Sequence, residues 1–219
     1  MSNERALRED IVANGLKLTP SGLSQGTSGN LSIRFGDGFL ITPSGLPYGE
    51  ITPDDVVQVD MNGHYEHARR RPSSEWRFHR DIYAARPDVH AVVHAHPPYS
   101  TGLAMCRLAI PAVHYMIAVS GGDSIRCCDY YTYGTQDLSD AVVRALDGRT
   151  ACLMANHGMI AIGADMEQAM WRAVEVETLA RQYTLAMQAG KPVLLTDAEV
   201  VQALEKFGNY GLMSKQPSP

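Results

Sequence analysis

Strand-like segments follow one another in this chain with too little sequence between them for parallel crossovers, and that narrows the folds open to it. After a polar, glycine-rich stretch, TPSGLSQGTSGN, the segment LSIRF alternates like a strand. DGFLITPSG reads as a second strand entering a tight turn, and DVVQVDMNG as a third ending at Asn62-Gly63. Strands joined this closely pair antiparallel, because a parallel crossover needs a dozen or more residues. HAVVHAH is a short buried strand. YMIAVSG and TACLMANHGMIAIG are further strand candidates, the second broken by Asn156-His157-Gly158.

Helices fill the rest. Leu7, Ile11, Val12 and Leu16 have amphipathic spacing over Glu4 to Leu18. Pro72-Ser73-Ser74-Glu75 reads as a helix start, with hydroxyls at the cap and an acid in the first turn of a helix from Glu75 to Ala85. Thr135 to Leu146 is helical. Asp165 caps a long helix reaching Ala189, stopped by Gly190 and Pro192. Thr196-x-x-Glu199 is a capping box that opens a last helix. With no repeat and no long linker, the expectation is an α/β chain of the α+β type: a single domain with a central, largely antiparallel β-sheet flanked by helices.

The 219 residues, 45 % hydrophobic and 20 % charged, suffice to bury a sizeable core. A formal net charge of -5 argues against a nucleic-acid partner. The charged opening MSNERALREDI has no apolar leader core, and no long apolar run suits a membrane span. Cys106, Cys127, Cys128 and Cys152 form no C-x-x-C pair, so reduced thiols and a cytoplasmic location are expected.

Of the eight histidines, His64 and His67 fall in a charged turn, His79 inside a helix and His90 beside a strand start. None of these four needs a function. His94-Ala95-His96 is different. Residues two apart on a strand share a face, so two imidazoles there converge on one divalent ion. A hydrogen-bonded core pair is equally compatible with H-x-H alone. A third candidate ligand is His157, beside Gly158 in an interrupted apolar run, where a strand kink would turn its ring toward a site. Glu75, at its helix N-terminus, is a fourth. Three histidines and a movable carboxylate make a plausible catalytic zinc sphere. A second constellation is small and polar: the turns at Gly26–Asn30, Thr42–Gly45 and Pro72–Ser74. Their N–H and O–H groups are suited to holding a phosphate. The lysine of a nucleotide P-loop is absent, as are a nucleophile elbow and a dinucleotide fingerprint.

The ordered set SQGTSGNLS, ITPSGLPYGE, PSSEWRFH, VVHAH, IPAVHYMIA, NHG and EKFGNYGL, spread from Ser24 to Leu212, resembles the class II aldolase/adducin family. The likeness is strongest to the branch that cleaves L-fuculose 1-phosphate. The resemblance implies zinc, one ion per subunit, on His94, His96 and His157, with Mn2+ or Co2+ as substitutes. It implies that Glu75 is both acid/base and a ligand of the resting metal. It puts a substrate phosphate on Thr27, Gly29, Asn30, Ser44, Gly45, Ser73 and Ser74. It makes Tyr115 and Tyr210 active-site residues supplied by a neighbouring chain of a homotetramer. A catalytic domain over 1–213 and a flexible tail over 214–219 complete it.

The implied reaction is reversible cleavage of a ketose 1-phosphate to dihydroxyacetone phosphate and an aldehyde. Two departures near the metal, Pro97-Pro98-Tyr99 and the lack of a second histidine beside His157, leave the aldehyde half open. The substrate is then of the L-fuculose, 5-deoxypentulose or 5-methylthioribulose 1-phosphate type. Rival readings are a pentulose-5-phosphate 4-epimerase, a methylthioribulose-1-phosphate dehydratase and a non-catalytic adducin-like module.

Overall fold

The computed structural model describes residues 2–66 and 70–207. Its centre is a seven-stranded sheet in the order β3-β2-β1-β4-β7-β6-β5. The strands are β1 Asn30–Phe35, β2 Gly38–Ile41, β3 Val57–Asp60, β4 Ala91–Ala95, β5 Arg126–Cys128, β6 Ala151–Met154 and β7 Gly158–Gly163. Every pair is antiparallel except β5–β6. The helices are α1 Ser2–Leu18, α2 Trp76–Ala85, α3 Pro98–Met105, α4 Gln136–Ala145, α5 Met166–Ala189 and α6 Asp197–Phe207. The expected architecture is what the chain adopts.

Side-chain alternation on the strands divides the core into two layers. On one face, Phe78, Ile82 and Tyr83 of α2 and Leu138 and Val142 of α4 pack on Val92, Ile160 and Ile162. On the other, Ile11 of α1, Leu103 of α3 and Val176 and Leu179 of α5 pack on Leu31, Val93 and Ala161. His94 shares its face with Val92, so it looks toward α2.

The caps act where the sequence places them. Thr135 accepts from Leu138 N at 3.3 Å, Asp165 from Gln168 N at 2.7 Å, and Thr196 and Glu199 bond each other's backbone N–H.

Three elements depart from expectation. YMIAVSG is not a strand but a 3-10 helix over Tyr115–Ser120, opened by His114, whose Nδ1 accepts from Met116 N, and closed by Gly121 at φ 77°. A short apolar run carries no period that separates strand from helix. The helix α3 was not foreseen; Pro97-Pro98 starts it, since proline suits a first turn. The short β5 was also missed, and its parallel pairing with β6 uses α4 as the crossover.

Candidate metal centre and phosphate turns

Two backbone registers assemble the centre. Asn30 of β1 lies opposite His94 of β4, and Ala95 lies opposite Met159 of β7. His94 is fully buried, and its Nδ1–H donates to Met159 O at 2.9 Å. This bond fixes the tautomer and leaves the Nε2 lone pair facing the site.

His96 sits one residue past β4, immediately before the proline pair that opens α3. The carboxylate of Glu177 on α5 accepts from Tyr99 N at 2.9 Å, Ser100 N at 2.8 Å and Ser100 Oγ at 2.7 Å. It thereby anchors the helix start, and with it His96. His157 belongs to the reversal between β6 and β7. The expected strand kink is a tight hairpin: Met154 pairs with Gly158, and Asn156 turns the chain at φ 53°. Asn156 N donates to Ala104 O, which ties the hairpin to α3. A Cβ on Gly158 would lie 2.5 Å from Ala95 O and 2.6 Å from His96 Cδ2, so only glycine lets the histidine strands approach this closely.

Glu75 comes from the other layer. The helix starts one residue later than expected, and Glu75 is its N-cap with no side-chain cap bond. The carboxylate turns inward instead of serving the helix terminus. Its Oε2 lies 3.2 Å from His94 Nε2 and its Oε1 3.1 Å from His157 Nε2. His96 Nε2 is 2.9 Å from His94 Nε2, and the ligand nitrogens of all three histidines lie within 4.8 Å of one another.

Electrostatics follows from this crowding. Burial would raise the Glu75 pKa, but His94 and His157 outweigh it and hold the carboxyl well below its ordinary range. Burial would lower His94, but Glu75 outweighs it and the net shift is upward. His96 falls to about 3, first through burial and then through its two histidine neighbours. Glu75 Oε1 is buried without a hydrogen-bond donor. An imidazole lone pair and a carboxylate oxygen aimed into one buried space are unfavourable unless a cation balances them. The donor set of three imidazoles and a carboxylate fits a divalent metal.

The three hydroxyl turns are brought together by backbone pairing. Thr42 N bonds Leu31 O, Ser73 N bonds Thr42 O, and Ser44 N bonds Arg71 O, each at 3.0 Å. Thr27, Ser44, Gly45 and Ser74 are exposed, and none of these three hydroxyls is bonded to a described residue. Gly29, at φ 85°, packs where a Cβ would sit 2.7 Å from His94 O. Ser73 is buried, and its Oγ accepts from Glu75 N at 3.3 Å. The Asn30 side chain is buried and engaged at both ends: Nδ2 donates to Glu75 Oε2 at 3.0 Å, and Oδ1 bonds His79 Nε2. It therefore faces Glu75 rather than the open turns.

Tyr115 is 54 % exposed and borders a groove with Gln202, Ala203 and Phe207 of α6. Its ring packs on that of His114, and no described contact joins it to His94, His96 or His157. Tyr210 and His67 lie outside the described residues, as does the tail over 214–219. Sequence reasoning missed Glu177 and above all His79, treated as an ordinary helical histidine. Its position four residues after Glu75 was the available signal, since that spacing shares a helical face. Among the described residues no helix is long and apolar enough to cross a membrane.

Comparison with known proteins agrees with this fold. The chain is 50 % identical over 214 residues to the 5-methylthioribulose-1-phosphate/5-deoxyribulose-1-phosphate aldolase of Rhodospirillum rubrum, covering 98 % of this chain and 96 % of that one. It is 47 % identical over 207 residues to the L-fuculose phosphate aldolase of Escherichia coli K12, covering 94 % and 96 %. A solved L-fuculose 1-phosphate aldolase, 41 % identical, superposes with a TM-score of 0.89 over 93 % of this chain and 96 % of that one. The family model for the class II aldolase and adducin N-terminal domain matches residues 9–184, and this chain belongs to that family.

Proposed function

We propose that this protein is a zinc-dependent class II aldolase that cleaves a ketose 1-phosphate reversibly into dihydroxyacetone phosphate and an aldehyde. The observation that carries this reading is the convergence of His94, His96 and His157 with the buried Glu75. That set suits carbon–carbon cleavage beside a ketone better than a binding module, which has no use for a buried carboxylate among three imidazoles.

Breaking the C3–C4 bond removes the C4 hydroxyl proton, makes the aldehyde carbonyl and leaves the electron pair on C3. A divalent ion held by the three histidines would supply Lewis-acid stabilisation of that negative charge. Glu75 is the group that handles the proton at C3, since its carboxylate faces the histidines from the opposite layer. Tyr115 is assigned to the C4 hydroxyl proton and the aldehyde oxygen, and Tyr210 to the same active site. Tyr115's exposure on one chain supports delivery to a neighbouring subunit, so the assembly proposed is a homotetramer. Thr27, Gly29, Ser44, Gly45, Ser73 and Ser74 hold the phosphate, whereas the Asn30 side chain is committed to Glu75 and His79. The catalytic unit spans 1–213, and the cell compartment proposed is the cytoplasm.

The substrate class follows the relatives: L-fuculose, 5-deoxyribulose or 5-methylthioribulose 1-phosphate. The test is a panel of these three with zinc-loaded protein, dihydroxyacetone phosphate release being coupled to glycerol-3-phosphate dehydrogenase. Chelator-sensitive release is expected, and the order of kcat/KM identifies the aldehyde half. Absence of release from every member sinks the aldolase and sends the epimerase and dehydratase forward.

A further inference from the structure

Behind Glu75 lies a file of buried polar groups that bond cleavage does not itself require. Glu75, His79 and Tyr83 are spaced by four residues along α2. Asn30, Ser32 and Arg34 are spaced by two along β1, on the face opposite the apolar Leu31 and Ile33. Four helical residues rise about 6 Å and two strand residues about 6.6–6.8 Å. Helix and strand therefore stay in step over three contacts. Asn30 reaches Glu75, Ser32 reaches His79 and Tyr83, and Arg34 donates to Tyr83 O at 2.7 Å. Asn30, Ser32, His79 and Tyr83 are each at most 2 % exposed.

The direction of every bond can be assigned. Asn30 donates through Nδ2 to Glu75 Oε2, which leaves its Oδ1 facing His79. An amide oxygen only accepts, so His79 Nε2 carries the proton. A neutral imidazole has one N–H, and burial, then His94, push His79 down to about 3. Its Nδ1 therefore accepts from Ser32 Oγ at 2.6 Å, and Ser32 Oγ accepts from Tyr83 O–H at 2.7 Å. All the donors point one way, from Tyr83 to the carboxylate.

We propose that Tyr83, Ser32, His79 and Asn30 form a one-directional hydrogen-bond relay that locks the orientation of Glu75, with His79 as its principal positioning residue. The relay occupies Oε2 and leaves Oε1, which has no donor of its own, as the working atom. The kinetic arm of this proposal rests on the aldolase reading; the spectroscopic arm does not.

The spectroscopic arm is a long-range proton–nitrogen correlation on metal-free protein carrying labelled histidine. His79 is expected as the neutral Nε2–H tautomer with its proton protected from exchange. The Nδ1–H tautomer, or a charged ring, overturns the relay whatever the enzyme does. The kinetic arm uses three variants well below their melting temperatures. Glutamine sets an N–H near the position of Nε2 and asparagine near that of Nδ1. His79→Phe and His79→Asn are expected to lose about 10- to 100-fold in kcat with KM little changed, the range for groups that orient site residues. His79→Gln is expected to recover most of it. Equal kcat for the glutamine and asparagine variants, or wild-type kcat with only a lowered Tm, overturns the proposal. If His79→Phe fails to fold, Tyr83→Phe keeps the ring and is expected to lose less kcat in the same direction; an unchanged kcat counts against the relay. Wild-type protein inactive on every ketose phosphate sinks the functional reading instead, and the tautomer result still decides the relay.

Discussion

The candidate metal centre and the hydroxyl turns are neighbours built in opposite ways. Around Glu75, His94 and His79 the groups are buried, and their orientations are fixed by strand register, a carbonyl and an amide. At Thr27, Ser44 and Ser74 the hydroxyls are exposed and have no described partner. A buried polar group must be satisfied in place, which preorganises it; an exposed one is solvated by water and free to exchange that water for a ligand. Defects in the first region should therefore damage rate, metal and stability. Defects in the second should touch substrate affinity alone.

The sharpest break in this contrast is Glu75→Gln, expected to cut kcat by about 10²- to 10⁴-fold, the usual share of a general acid/base. Bound metal, measured by mass spectrometry, should persist, and near-normal turnover would remove Glu75 from the mechanism. Next is His157→Ala, which deletes the candidate ligand supplied by the hairpin. Metal should dialyse away from it far more readily than from wild type, a larger loss than the about 10- to 100-fold typical of groups behind the ligands. Full metal occupancy in that variant would exclude His157 from the centre.

Gly158→Ala tests packing rather than chemistry, because its Cβ meets Ala95 O and His96 Cδ2. A loss of about 1–3 kcal/mol in denaturant unfolding is expected, as for other overpacked sites, together with weaker metal binding. The smallest effects belong to the turns. Ser44→Ala and Ser74→Ala should raise KM several-fold with stability within about 0.5 kcal/mol of wild type. A fall in kcat at constant KM there would erase the distinction between the two regions.

Much of the frame was legible locally. Asp165, Thr135 and Thr196 announce helix starts because a capping side chain bonds backbone only two or three residues away. H-x-H and the apolar residues around it announce a buried strand and two candidate ligands, His94 within β4 and His96 one residue past it. The failures share a cause as well. YMIAVSG is apolar without a period, so whether it coils or extends depends on what covers it. The three-residue β5 has too few side chains to show alternation. Glu75 was read as a candidate ligand at a helix start, but sequence could not say that its side chain turns inward rather than capping the helix.

Sequence by itself determined the candidate ligand types, the antiparallel sheet and the family, since each is written in spacing and order along the chain. Only the tertiary structure decided that Asn30 faces Glu75, that a bland-looking His79 stands behind both, and that Gly158 admits His96 to the centre. These contacts join residues 45, 49 and 62 positions apart. Local propensity carries no information about such meetings. They exist because β1 registers against β4, β4 against β7, and α2 lies along β1 in step with its pleat.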